Sequence, residues 1–201
     1  VFERSGDICR LDLYVFEEVC AMLAGRLAQG APVFPVAVNL SRRHFQTTDF
    51  LQRFADIRDQ YQIPGGLIEL ELTESIFFTV GDILNVKEAI RRMHELGFLC
   101  SLDDFGSGYS SLGLLMEFDV DVIKFDRRFF RHVSRKKTRD VVSAMVELAG
   151  RLGVQTVAEG IENEEQLAFL REVGCDLVQG YVFAKPMPIE AFEAWEDARK
   201  S

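Results

Sequence analysis

Apolar positions recur at helical spacing from about Leu11 to Leu27, with Leu13, Phe16, Val19, Cys20 and Leu23 on one stripe and a Gln29-Gly30 stop behind them. A short apolar run, Pro35 to Ser41, reads as a buried strand closing on Asn39, and His44 opens a helix that continues through Phe50, Phe54 and Ile57. The alternation then repeats. Leu67 to Glu74 is a strand; Ile83, Val86, Ile90 and Met93 mark the helix after it, stopped by Gly97. Phe98 to Asp103 is the next strand, followed by a glycine loop and a short helix around Leu112 to Phe118. Asp121 to Asp126 is a strand, and Val141, Met145, Leu148 and Leu152 form a helical stripe ended by Gly153. Val154 to Glu159 is a strand; the helix carrying Leu167, Leu170 and Val173 has Asn163 as N-cap, Gln166 at the capping-box position and Gly174 as its stop. Asp176 to Val182 is the last strand, and Ile189 to Arg199 a terminal helix.

Strands alternating with helices of this length imply parallel βαβ units. Polar residues close the successive strands: Asn39, Glu71 with Glu74, Asp103 with Asp104, Lys124 with Asp126, Glu159, and Gln179. Such placement is the footprint of a TIM-like (β/α) barrel, whose site is assembled from the C-terminal rim of its strands. About six of the eight strands of a closed barrel are present, so two are expected to precede Val1, and an incomplete barrel exposes two sheet edges.

The chain has 201 residues, is 48% hydrophobic and 27% charged, and reads as one soluble domain over residues 1–201. A net charge of −9 argues against a duplex nucleic-acid groove, which needs a basic stripe, and leaves room for a small phosphorylated ligand held through metal ions. Cys9, Cys20, Cys100 and Cys175 lack a Cys-x-x-Cys spacing and read as reduced core thiols. No apolar run approaches the length of a bilayer span and no signal-peptide pattern opens the chain, so a cytoplasmic location without membrane contact is expected.

Asn39, Glu71, Asp103, Asp104 and Glu159 are hard oxygen donors with no His or Cys among them, which suits Mg²⁺ or Mn²⁺. Carboxylates converging on one rim repel, and two bound cations would offset that while promoting in-line displacement at a phosphate, with Lys124 holding water or stabilising charge. Adjacent side chains on a strand point to opposite faces, so Asp103 and Asp104 reach one site only if the strand ends there and the glycines after Phe105 let the chain turn. Glu69 reads as an interior structural charge, Asp126 and Glu162 as groups that orient the site from behind its ligands or anchor its loops. His44, His94 and His132 read as surface or packing residues. Arg127, Arg128, Arg131, Arg135, Lys136, Lys137 and Arg139 read as a solvated helix face. A lyase using Lys124 as a Schiff base is disfavoured by the acidic surroundings.

Taken together, Asn39-Leu40-Ser41, Glu71-Leu72-Thr73-Glu74, Asp103-Asp104-Phe105-Gly106-Ser107-Gly108, Lys124 with Asp126, Ala158-Glu159-Gly160-Ile161-Glu162 and Gln179-Gly180-Tyr181 resemble, in order, the motifs of the EAL-domain family, the bacterial cyclic-di-GMP phosphodiesterases. The resemblance spans Asn39 to Pro188. It implies a TIM-like barrel that hydrolyses cyclic di-GMP to linear pGpG with two Mg²⁺ or Mn²⁺ ions. By resemblance, Asn39, Glu71 and Asp103 would ligate the first ion, Asp103, Asp104 and Glu159 the second, and Lys124 and Gln179 would position the water. Glu74 would hold the loop from Phe105 to Ser111, which in the family links the site to homodimerisation; an upstream sensor or GGDEF domain in a longer parent is the companion expectation. The Glu-Ala-Leu triplet that names the family does not occur in the sequence. The expectation is therefore an amino-terminally truncated domain lacking one metal ligand, with activity assigned to the intact parent; a cyclic-di-GMP receptor that binds without hydrolysis is the alternative.

Overall fold

Residues 7–47, 49–73, 76, 83–106 and 111–199 are described by a computed structural model. Glu74, Ser107 and Gly108, and with them most of the expected loop, lie outside the described residues. Helix α1 (Ile8–Ala28) leads to strand β1 (Val36–Asn39), a 3-10 turn (Arg42–Gln46) and α2 (Phe50–Gln60). Then come β2 (Ile68–Thr73), α3 (Ile83–Glu95), β3 (Leu99–Phe105), α4 (Ser111–Glu117) and β4 (Val122–Phe125). A second 3-10 turn (Arg127–Phe130), α5 (Lys136–Leu152), β5 (Gln155–Ala158), α6 (Glu164–Val173), β6 (Leu177–Val178) and α7 (Ile189–Asp197) complete the order.

Among the described residues six strands form one parallel sheet in chain order, β1 to β6. A doubly wound sheet reverses its order at a switch point, whereas this order is that of a TIM-like barrel. Side-chain alternation separates two faces. Ile68, Leu70, Leu72, Cys100, Leu102, Ile123, Phe125 and Ala158 join the hydrophobic core under the helices, where Phe16 meets Phe54 and Phe98 edge-on. Glu69, Glu71, Ser101 and Lys124 take the other parity and are nonetheless buried. Every residue from Ile68 to Leu72 is buried, as in strands covered on both faces.

Local signals end the helices where expected. Gly97, Gly153 and Gly174 take left-handed φ values of 81°, 73° and 76°. Asn163 Oδ1 accepts from Gln166 N at 3.0 Å, and Gln166 Oε1 reaches back to Glu162 N at 2.8 Å. Three expectations change. His44 sits in its own 3-10 turn and not in the helix that follows. Cys20 and Cys100 are buried, but Cys9 and Cys175 are half-buried; all four are free thiols. The last strand stops at Val178 because the chain turns to pack on the β5 loop: Ile161 N donates to Gln179 O at 3.2 Å and Val182 N to Ile161 O at 3.0 Å.

This close approach explains Gly180. A Cβ there would collide with the Ile161 backbone, which cannot move without breaking both hydrogen bonds. Gly180→Ala is expected to lower stability by about 1–3 kcal/mol, read as a shift of the urea midpoint. Gly150→Ala, in an α5 position with open space around it, is expected to be neutral or to stabilise by about 0.5–1 kcal/mol.

Candidate active site

The C-terminal ends of β2, β4 and β5 bring two carboxylates together around one ammonium group. Lys124 Nζ is bonded to Glu71 and lies 2.7 Å from a Glu159 oxygen. The Lys124 and Glu71 side chains are 7% and 5% exposed, so the pair is shielded from solvent. Burial pulls the lysine pKa down, but the Glu71 and Glu159 carboxylates outweigh it and hold Lys124 above its ordinary value. A charged Lys124 is incompatible with the neutral amine of a Schiff-base mechanism. Glu71 and Glu69 are both pushed up by burial; Lys124 pulls each of them back in part.

The paired aspartates reach the rim by a route that differs from the expected strand end. Leu102 pairs with Ile123 and Phe105 with Phe125, so β3 carries one extra residue between these points and continues beyond the aspartates. This is a β-bulge, and Asp104 absorbs it with a left-handed φ of 55°. Asp is one of the few side chains that tolerates this conformation, and the Asp104 N–H donates to Asp103 Oδ1 at 2.8 Å. The bulge swings Asp104 toward β4 and β5. Burial raises its pKa, and repulsion from Asp103, Asp126 and Glu159 adds to the rise, with a hydrogen bond to Asp126. Asp126 is lowered although burial pushes it up, because Arg128 donates to it from Nε at 2.6 Å and from its backbone N at 2.8 Å.

Phe105 is buried against Phe125, and the Phe129 ring covers Gly106 so closely that a Cβ there would overlap it. Arg127 packs against Gly160 in the same way. The 3-10 turn after β4 therefore braces the loops leaving both β3 and β5. The expected residues do not all converge. Asn39 pairs with Glu71 in the backbone register and is exposed at the end of β1. Gln179 and Glu162, with Arg127, line a neighbouring cavity of about 880 Å³ that reaches Val36 and Val178 on the first and last strands. Glu74, Ser107 and Gly108 lie outside the described residues. Among the described residues no group of three or more acidic, His or Cys side chains is drawn together tightly enough to hold an ion.

The donor chemistry nevertheless suits a hard divalent cation: the carboxylates Glu71 and Asp104 are raised by burial and crowding, the electrostatic condition a cation relieves. Sequence reasoning missed Phe129 and Arg127, whose role appears only when β4 is set beside its neighbours. Lys124→Met leaves Glu71 buried without its counter-ion and is expected to cost about 3–5 kcal/mol, measured by urea unfolding.

Among the described residues no helix is long and apolar enough to cross a membrane. The EAL domain family model matches residues 1–186. The chain is 34% identical over 193 residues to the cyclic di-GMP phosphodiesterase NbdA of Pseudomonas aeruginosa, covering 95% of this chain and 24% of that protein. It thus spans about a quarter of the length of the curated relatives it matches. The PaMucR phosphodiesterase, solved as a c-di-GMP complex, superposes with a TM-score of 0.86 at 31% identity over 95% of this chain and 77% of that one. BlrP1 of Klebsiella pneumoniae, solved as a manganese and cyclic di-GMP complex, gives 0.80 at 29% identity over 90% of this chain and 45% of that one. With the parallel strand order and the acidic rim, these likenesses make the chain a member of the EAL domain family.

Proposed function

We propose that the chain supplies the catalytic rim of a metal-dependent phosphodiesterase that opens cyclic di-GMP to linear pGpG. The observation that carries this reading is the buried Lys124 cation held by Glu71 and Glu159 next to the bulged Asp103-Asp104 pair, in a family some of whose members are named cyclic di-GMP phosphodiesterases. Asn39, Glu71 and Asp103 would hold one Mg²⁺ or Mn²⁺ ion, and Asp103, Asp104 and Glu159 a second. Bound there, the ions supply polarisation of the phosphate and acidification of a water.

The side chains account for the rest. Lys124, locked in place and kept positive, faces the rim as a fixed positive charge for the equatorial phosphate oxygens as negative charge builds. Gln179 stands at the end of β6 and lines the adjoining cavity, which is large enough for a nucleotide, where its amide would hold the substrate beside the reacting phosphate. Water oxygen bonds to phosphorus, the P–O ester bond breaks, and the water proton ends on the departing hydroxyl.

The test is product analysis of the full-length protein with cyclic di-GMP and Mn²⁺. Accumulation of pGpG is expected; binding without product replaces the enzyme by a cyclic-di-GMP receptor. Asp104→Asn keeps the left-handed backbone that Asn also adopts and removes one repelling charge. Turnover is expected to fall at least about 100-fold, while the melting temperature without metal rises. The sign follows from the raised pKa: Asp104 destabilises the fold only where it is ionised. The gain over wild type is therefore absent in acid and grows as pH rises through the carboxylate range.

A further inference from the structure

Asp12 stands on the apolar stripe of α1, in line with Phe16, Cys20 and Leu23, and is 8% exposed. Packing alone calls for an aliphatic side chain there, since a buried carboxylate costs free energy unless it is hydrogen-bonded. Its Oδ2 accepts from Ser41 N at 3.0 Å and from His44 Nε2 at 3.0 Å. His44 is 5% exposed, with its ring 5.6 Å from Phe50 and 5.2 Å from Phe54. The turn is fixed further by Ser41 Oγ, which accepts from Arg43 N, and by Thr47 Oγ1, which donates to His44 O at 3.0 Å.

The location gives the network its meaning. β1 lies at the edge of the described sheet and pairs only with β2. Beyond Asn39, one backbone bond continues the ladder, Leu40 N to Glu71 O at 3.0 Å. The next amide, that of Ser41, belongs to Asp12. We propose that Asp12, with His44 as its second donor, is a positioning residue that fixes where Asn39 stands on the rim, opposite Glu71. The role of Asn39 as a metal donor rests on the function proposed above; the anchoring of residues 39–44 by α1 does not. The network explains two features that hydrophobic packing leaves unexplained: a carboxylate on the buried face of α1, and a histidine enclosed by phenylalanines.

The experiment uses the full-length protein and three variants: Asp12→Leu, which keeps the bulk and loses the acceptor, His44→Gln, which keeps a donor, and His44→Phe, which keeps the ring packing and loses it. Two readouts are taken, amide hydrogen exchange at residues 39–44 and Mn²⁺ affinity by calorimetry, with turnover followed against Mn²⁺ concentration. Asp12→Leu and His44→Phe are expected to speed exchange at Leu40 and Ser41 and to weaken Mn²⁺ by about 10-fold. The rate at saturating Mn²⁺ should stay within about twofold. His44→Gln is expected to restore near wild-type affinity. Unchanged exchange at Ser41, unchanged Mn²⁺ affinity, or equal loss in His44→Gln and His44→Phe overturns the proposal. A wild-type protein that binds Mn²⁺ and leaves cyclic di-GMP intact fails the proposed function alone, and the two readouts still decide the anchor.

Discussion

The ammonium group of Lys124 is the constraint on which the rim depends. It is the cation between Glu71 and Glu159, it is nearly removed from water, and it offsets in part the burial that raises the pKa of Glu71. Breaking such a pair costs more than its net contribution to stability, because the partner left behind is a buried unpaired charge. The arrangement therefore favours placement over stability. It ties β2, β4 and β5 at one height along the strands and fixes a positive charge beside two crowded aspartates.

The aspartates show how backbone geometry serves the electrostatics. A regular strand would turn Asp103 and Asp104 to opposite faces. The bulge redirects Asp104 toward Asp126 and Glu159, and the strand then resumes so that Phe105 still packs on Phe125. Repulsion among the carboxylates is the consequence, and it makes this part of the rim less stable than a neutral one and receptive to a hard cation. The bracing turn after β4, with Phe129 on Gly106 and Arg127 on Gly160, holds the loops on both sides against that repulsion.

Much of this was legible in the sequence because its causes are local. Strand and helix alternation, left-handed glycine stops and the Asn163 cap with Gln166 depend on neighbours a few residues away, and the strand-end polar residues announced a C-terminal rim. The bulge was not legible, since it is a mismatch of register between β3 and β4 that no single segment encodes. The same holds for the short β6, which stops where Gly180 meets Ile161. His44 read as a surface or packing residue, and it is buried, but its partner Asp12 lies on the preceding helix. The available signal was a lone carboxylate in phase with Phe16 and Cys20. Gln179 and Glu162, expected at the same centre as Lys124, line the adjoining cavity, because β6 turns away just after Val178.

All of this requires that Lys124 remain a charged, hydrogen-bonded ammonium shared by Glu71 and Glu159. Proton-detected ¹⁵N NMR of lysine side chains tests it directly. A slowly exchanging Lys124 ammonium signal should persist from about pH 6 to about pH 9, within the range where a lysine held by carboxylates stays protonated, and it should shift in Glu71→Gln. A Lys124 signal that titrates as a neutral amine below its ordinary pKa, or that is indifferent to Glu71→Gln, would contradict the account.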